Sequence, residues 1–220
     1  MATSAVILFD FDGVIIDSEQ TSFEAWKTVF RDQGISLTLQ DWLQFVGVAT
    51  GRSPVDFLEE LSGTPQPQAQ KKKDIIHAEL TRFLPCRPGV FGSIQRLAAR
   101  GIEIHIVSNA RQAYIQSHLE RLNLSACVSG VISGGESIPA TSKCALYTRA
   151  YNTLGLQQRS TLVVEDSEHG VRSALACRLR VLGFPNEITV HQEIAALCPI
   201  VPYPSPLNPD SLLAQLREEK

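Results

Sequence analysis

Residues 5–13 read AVILFDFDG and combine an apolar run with two closely spaced carboxylates. The first five residues are apolar and rich in β-branched side chains, which predicts a strand buried on both faces of a sheet. Asp10 and Asp12 follow directly, and in an extended chain residues two apart point to the same side. Two such carboxylates repel one another unless a cation lies between them or one is protonated. The stretch therefore predicts a buried strand that ends in an acidic site.

Four later stretches repeat this strand pattern, and helical patterns separate them. The further predicted strands cover residues 102–107, 128–132, 161–164 and 180–184, and the helices between them cover residues 111–122, 143–154 and 170–177. From residue 88 onward helices and strands alternate, which is typical of a parallel sheet with helices on both faces. The sequence therefore predicts an α/β fold whose core is a Rossmann-like, doubly wound parallel sheet.

Residues 18–84 interrupt this alternation, because they contain helical patterns and no strand pattern. A helical domain inserted between the first strand and the rest of the core explains the interruption. We predict a core of residues 1–16 and 86–220 and an all-α domain of residues 17–85. The proline-rich segment 199–209 is expected to lie on the surface without regular structure.

The composition excludes several classes of protein. The chain has 20 lysines and arginines against 23 acidic residues, so it lacks the basic excess of nucleic-acid-binding proteins. Its apolar runs fall far short of the ~20 residues that span a bilayer, and residues 1–4 lack the basic start of a signal peptide. The 5 cysteines form no CxxC pair, which argues against a zinc site and for a reducing compartment. We expect a cytoplasmic monomer without nucleic-acid or membrane partners.

A second acidic pair follows a predicted strand in the same way as the first. Glu165 and Asp166 come directly after the strand predicted before them, as Asp10 and Asp12 do after theirs. Because the carboxyl ends of parallel strands form one edge of a sheet, four carboxyl groups would converge there. Hard oxygen ligands of this kind suit Mg²⁺. Asp166 and Ser167 would equally serve as caps of the helix that follows.

Three further polar residues belong to the same predicted edge. Ser108 and Asn109 follow the strand at residues 102–107, where they would bind phosphate oxygens beside the free N–H groups of the next helix, although both are also common N-caps. Lys143 begins a helix, where its charge opposes the helix dipole. Such a local misfit is typical of a functional position, but a solvated lysine would also explain it.

The four groups of residues together resemble the motifs of the haloacid dehalogenase superfamily. Residues 10–14 (DFDGV) resemble its first motif, residues 107–109 (VSN) its second, and Lys143 its third. Residues 164–170 (VEDSEHG) resemble the fourth motif in the form typical of the β-phosphoglucomutase-like and phosphoglycolate-phosphatase-like branch. The order and spacing fit from residue 5 to about residue 184, and the helical insert is similar to the cap domain of that branch.

The resemblance implies phosphoryl transfer through an aspartyl-phosphate. Asp10 would be the nucleophile, Asp12 the general acid and base, and Lys143 the group that neutralises charge at the phosphoryl group. Mg²⁺ would be bound by Asp10, Glu165, Asp166 and the backbone carbonyl of Asp12. Dehalogenase members of the superfamily lack the second aspartate, so halide displacement is not expected here.

The same resemblance implies where the substrate binds. Ser108, Asn109 and Gly13 would contact the phosphate, and Arg52, in the predicted cap, would bind a carboxylate or second phosphate elsewhere on the substrate. A solvated loop arginine is the alternative for Arg52. The implied activity is a Mg²⁺-dependent phosphatase acting on a small phosphorylated metabolite, a sugar phosphate or a phosphocarboxylate.

Two positions depart from the family pattern. Ser22 stands where members commonly have a histidine that assists the mutases, so a hydrolase is favoured over a phosphosugar mutase. Cys144 follows Lys143 where proline is usual, and the sequence alone assigns no thiol chemistry to it. The mutase and a non-catalytic regulatory member remain the alternatives. A signalling receiver domain, which also phosphorylates an aspartate beside Mg²⁺ and a lysine, fits poorly, because such a domain is about half this length and has no insert.

Overall fold

The computed structural model describes residues 5–46, 52–134 and 142–217. Within these ranges five strands form one parallel sheet: β1 (Ala5–Phe9), β2 (Glu103–Ser108), β3 (Gly130–Ser133), β4 (Ser160–Glu165) and β5 (Arg180–Gly183). Their order across the sheet is β3-β2-β1-β4-β5. The predicted α/β fold with a parallel sheet is confirmed. Strands β2 and β3 follow on one side of β1, whereas β4 and β5 follow on the other, so β1 lies at the point where the strand order reverses. In open α/β sheets, ligands bind beyond the carboxyl ends of the strands at such a point.

Helices cover both faces of the sheet, as the alternation of side chains along its strands requires. In β1, Ile7 and Phe9 point to one face and Val6 and Leu8 to the other, and all four are fully buried. The first face is covered by α5 (Val90–Ala99), α6 (Gln112–Arg121) and α9 (Pro209–Arg217), and the second by α7 (Lys143–Thr153) and α8 (Glu168–Ala176). Helix α9 is not among the helices predicted from the sequence. Among the described helices, none combines the length and apolar character that a membrane crossing needs.

Four helices form a cap between β1 and α5: α1 (Ser18–Arg31), α2 (Leu39–Leu43), α3 (Pro54–Ser62) and α4 (Ala69–Thr81). They share an apolar core of their own, which includes Phe23, Trp26, Phe30, Trp42 and Leu58. The described parts of residues 18–84 contain no strand, so the expected helical cap is confirmed. The domain limits at residues 17 and 85 stay predictions.

Arg87 lies where the chain returns from the cap to the core, and it contacts both the loop after β1 and the loop after β5. Its buried guanidinium donates to the carbonyl oxygens of Gly13, Phe184 (2.8 Å) and Pro185 (2.6 Å) and lies 3.8 Å from the ring centroid of Phe184. The carbonyl groups of three buried residues are thereby satisfied by one side chain. The loop that follows Asp12 is held in place from behind by this contact.

Candidate active site

The carboxyl ends of β1, β2 and β4 bring the predicted site residues to one edge of the sheet. Phe9 pairs with Ile106 on one side and with Val164 on the other, and the Asp10 N–H donates to the Val164 carbonyl at 3.0 Å. The residues just beyond these positions are therefore neighbours. They include Asp10, Ser108, Glu165 and Asp166, as the sequence predicts.

Three buried carboxyl groups lie together at this edge. Asp10, Glu165 and Asp166 each offer an oxygen within 4.8 Å of the others, and Glu165 has no exposed surface. Burial and the neighbouring Asp10 charge raise the pKa of Glu165 to about 7, and burial followed by the charge of Glu165 raises the pKa of Asp166. Glu165 Oε2 is buried without a hydrogen-bond partner. An unpaired hard oxygen in a cluster of three carboxyl groups suits a divalent cation such as Mg²⁺.

Lys143 lies against two of these carboxyl groups. Its Nζ is 2.5 Å from Asp10 Oδ1 and 3.1 Å from Glu165 Oε1, and it donates to the Val107 carbonyl at 3.0 Å. Burial disfavours the charged amine, but the two carboxylates outweigh it, so the pKa of Lys143 is raised. These contacts give the physical reason for a lysine at the start of α7, because the carboxylates offset its repulsion from the helix dipole.

Asp12 is separate from the three-carboxyl cluster and faces the start of α1. Its Oδ1 accepts a hydrogen bond of 2.6 Å from the Ser18 hydroxyl. Burial raises the pKa of Asp12 to about 6, against the lowering effect of the Ser18 hydrogen bond. A carboxyl group with this pKa exchanges its proton near neutral pH, as a general acid and base must.

Two glycines make room for the acidic cluster. Gly13 has a φ of +77°, and a Cβ there would lie 2.1 Å from Asp166 Oδ2. A Cβ on Gly170, in the first turn of α8, would lie 2.1 Å from Glu165 Oε2. The Gly13 N–H donates to the Ile16 carbonyl at 2.9 Å, so this amide holds its own loop. The phosphate-binding role expected of Gly13 stays a prediction.

Asn186, which the sequence did not single out, holds Asp166 from the loop after β5. Its Nδ2 donates to Asp166 Oδ2 at 2.8 Å, while its Oδ1 accepts from the N–H groups of Ile188 and Thr189 at 2.9 Å each. Asn186 is fully buried, and these three hydrogen bonds fix its amide group, which in turn orients the Asp166 carboxyl group. No local pattern predicts this residue, because its partner is 20 positions away.

A cavity of about 800 Å³ lies between this edge and the cap. The core lines it with Asp10, Asp12, Ser108, Asn109, Lys143 and Asp166, and the cap lines it with Ser22, Trp42, Phe45, Lys73 and His77 among others. Most of the predicted site residues therefore meet in one chamber that has polar and aromatic walls.

Arg52 does not join the residues that line this cavity. Its guanidinium pairs with Glu60 and lies 4.7 Å from the ring centroid of Phe57, both on α3. These contacts hold Arg52 on the surface of the cap. Its expected contact with the substrate stays a prediction.

Two named bacterial proteins are similar to this chain in sequence. The Bacillus subtilis (strain 168) protein YhcW is 27% identical over 194 residues, covering 83% of this chain and 84% of its own. The Thermotoga maritima protein named phosphorylated carbohydrates phosphatase is 24% identical over 172 residues, covering 76% of this chain and 79% of its own.

Two solved structures share the fold. Rhodobacter sphaeroides CbbY in complex with phosphate has a TM-score of 0.70 and 18% identity, covering 90% of this chain and 93% of its own. Bacillus subtilis YfnB bound to magnesium has a TM-score of 0.63 and 16% identity, covering 83% of this chain and 89% of its own. The family described as haloacid dehalogenase-like hydrolase matches residues 7–184, a span that includes every motif residue and the whole cap. The chain therefore belongs to the haloacid dehalogenase-like hydrolase family.

Proposed function

We propose that this chain is a Mg²⁺-dependent phosphatase that hydrolyses a small phosphorylated metabolite through an aspartyl-phosphate at Asp10. The observation that carries the proposal is the contact of Lys143 with both Asp10 and Glu165, beside the buried carboxyl group of Asp166. A carboxylate that attacks a phosphoryl group brings two anions together, so positive charge is needed at the point of attack. Lys143 supplies part of that charge from a fixed position.

The acidic cluster would supply the metal site. Asp10, Glu165 and Asp166 would hold Mg²⁺, and the unpartnered Oε2 of Glu165 is an oxygen that such an ion would satisfy. When bound, the ion contributes positive charge that offsets the repulsion between the carboxylate and the phosphoryl oxygens. The magnesium bound to YfnB, a protein of the same fold, supports this choice of metal.

The first chemical step belongs to Asp10 and Asp12. An Asp10 carboxylate oxygen forms a bond to phosphorus, the bond from phosphorus to the leaving oxygen breaks, and Asp12 donates its proton to that oxygen. Phe11 N–H (2.7 Å) and Lys143 hold Asp10 Oδ1, so the nucleophile is oriented before the substrate arrives. The first product then leaves as an alcohol.

The second step returns the enzyme to its starting state. Asp12, now a carboxylate, takes a proton from water while the water oxygen attacks phosphorus and the bond to Asp10 breaks. Inorganic phosphate is released, and Asp12 is again protonated. A pKa of about 6 allows Asp12 to serve in both directions near neutral pH. Ser108 and Asn109 line the cavity where they would donate hydrogen bonds to the phosphoryl oxygens.

The cavity favours a phosphorylated carbohydrate as the substrate class. Its cap side is lined by the polar groups of Lys73 and His77 and by the aromatic rings of Trp42 and Phe45. Such a mixture of polar groups and flat apolar faces suits a ring with several hydroxyl groups. The Thermotoga maritima relative is named for activity on phosphorylated carbohydrates, which supports the same class.

The test is release of inorganic phosphate from sugar phosphates, phosphoglycolate and nucleoside monophosphates, with Mg²⁺ and with chelator. Asp10→Asn removes the nucleophile, and Asp210→Asn, an exposed carboxylate on α9, is the matched control. We expect Mg²⁺-dependent turnover that Asp10→Asn abolishes and Asp210→Asn leaves unchanged.

The same assay separates the alternatives. A phosphosugar mutase would convert one sugar phosphate into its isomer without releasing phosphate, which product chromatography detects. A non-catalytic regulator would give neither product. Either result would contradict the phosphatase assignment.

A further inference from the structure

Two cysteines that the proposed mechanism does not use lie close together behind Lys143. Cys144 is the second residue of α7, and Cys177 follows the last residue of α8. Their sulfur atoms are 3.8 Å apart although 33 positions separate them in the chain, and both side chains are half-buried. The packing of α7 against α8 therefore creates a pair of facing thiols.

Neighbouring groups hold this pair in its present orientation. The Cys177 thiol donates to the Cys144 carbonyl over 3.6 Å, and the Thr148 hydroxyl lies 3.5 Å from Cys177 Sγ. Thr148 also donates to the Cys144 carbonyl at 2.9 Å. Both sulfurs thus belong to one small network at the junction of the two helices.

We propose that Cys144 and Cys177 form a redox-active dithiol, which hydroperoxides convert to a disulfide. One thiol loses its proton to solvent, and its sulfur forms a bond to the terminal oxygen of the peroxide. The O–O bond breaks, the departing alkoxide or hydroxide takes up a proton and leaves as alcohol or water, and a sulfenic acid remains on sulfur. The second thiol then attacks that sulfur, an S–S bond forms, and water leaves. One hydroperoxide is reduced by two electrons, and the two thiols are oxidised.

The distance between the sulfurs makes this reaction accessible with a small local change. A disulfide has an S–S length of about 2.05 Å, so the two atoms must approach by roughly 1.8 Å from their present 3.8 Å. Rotation about the Cα–Cβ bonds supplies part of this approach. We expect the remainder to come from a shift of the first turn of α7 toward the end of α8.

That movement reaches Lys143, which is the neighbour of Cys144 in the chain. The Nζ contacts of Lys143 with Asp10 and Glu165 depend on the position of the first turn of α7. This consequence rests on the proposed phosphatase function, whereas the disulfide itself does not. Since a misplacement of about 1 Å at a catalytic group lowers rates by about 100-fold, we expect oxidation to lower phosphate release by about tenfold or more.

The experiment uses the full chain, fully reduced and then treated with one equivalent of hydrogen peroxide. Intact mass, the count of free thiols and phosphate release are measured before and after treatment, and again after dithiothreitol. We expect a loss of 2 Da through removal of two hydrogens, a fall from 5 free thiols to three, and a tryptic disulfide between peptides 144–149 and 173–178. Dithiothreitol should restore the activity.

Two variants complete the test. Cys177→Ser removes one partner and should show neither the mass loss nor the peptide link. Cys127→Ser, another half-buried cysteine, should behave as the unsubstituted chain does.

Each outcome bears on a separate statement. Absence of the 144–177 link would overturn the dithiol, and a link that leaves phosphate release unchanged would overturn its effect on Lys143. A link in a chain that releases no phosphate even when reduced would contradict the proposed function and support the dithiol, because the mass measurement does not depend on activity.

Discussion

Replacing Gly170 by alanine would put a methyl group where the Glu165 carboxyl group lies. A Cβ on Gly170 would be 2.1 Å from Oε2, 2.2 Å from Cδ and 2.4 Å from Oε1 of Glu165, while ordinary contact begins at 3.4 Å. The carboxyl group must therefore move by roughly 1.3 Å, which overpacks the interior around it. Glu165 is fully buried and held by Tyr147 and Lys143, so it has no route to solvent.

The expected effect is larger on catalysis than on stability. A shift of about 1 Å in a group of the catalytic site lowers the rate by about 100-fold, and a displaced metal ligand raises the Mg²⁺ concentration needed for half-maximal activity. Overpacking lowers the free energy of unfolding by about 1–3 kcal/mol, whereas alanine in a helix raises it by about 1 kcal/mol. The net loss of up to about 2 kcal/mol corresponds to a fall in Tm of a few degrees.

Gly92→Ala is the matched control. Gly92 lies within α5, and a Cβ there would meet nothing within 4 Å. This substitution therefore adds only the helix preference of alanine, and it should raise the free energy of unfolding by up to about 1 kcal/mol without changing activity.

The assay is kcat/KM for phosphate release as a function of Mg²⁺ concentration, with Tm measured on the same samples. If Gly170→Ala keeps the kcat/KM and the Mg²⁺ requirement of the unsubstituted chain, Glu165 does not belong to the metal site in the position described.

Three other predictions concern Asp12, the acidic cluster and Arg87. Ser18→Ala removes a hydrogen bond that favours the Asp12 carboxylate, so the pKa of Asp12 should rise. The alkaline limb of the kcat/KM profile should then move to higher pH by about one unit. If that limb does not move, the titration of Asp12 is not what produces it. The raised pKa values of Glu165 and Asp166 mean that the metal-free fold loses stability as pH rises from about 4 toward 7. Mg²⁺ relieves this repulsion, so its gain in Tm should be greater at pH 8 than at pH 5.5, and an equal gain would contradict binding at these groups. Arg87→Met leaves three buried carbonyls unsatisfied and should lower the free energy of unfolding, measured by urea titration, by about 3 kcal/mol. A loss below about 1 kcal/mol would contradict a stabilising role for these three hydrogen bonds.

Local patterns predict the sheet, the cap and the position of the acidic edge. A short apolar run rich in β-branched residues, such as residues 5–9, is typical of a strand buried on both faces, and the carboxyl ends of parallel strands share an edge. The convergence of Asp10, Lys143 and Asp166 follows from that rule, and the structure places them together. Helix α9 was missed because a short amphipathic segment after many prolines has little local signal.

For Gly170, the sequence shows an unusual residue but not the reason for it. A glycine in the first turn of a helix costs stability, which marks it as unusual, but its reason is the carboxyl group that fills the space of its missing side chain. Arg52 shows the opposite case. Its place before a helix suggests anion binding, whereas its contacts with Glu60 and Phe57 are on the cap and it is not among the residues that line the cavity, so its role toward the substrate stays a prediction.

The order of apolar and polar residues along the chain was enough for the α/β fold, the helical insert and the edge where the chemistry lies, because periodicity and strand direction are local properties. The partners of individual side chains were decided only by tertiary packing. Asn186 against Asp166, Arg87 against the Gly13 loop, and Cys144 facing Cys177 are contacts between distant segments. Such pairings depend on how helices and loops pack in three dimensions, and no one-dimensional pattern encodes their distances.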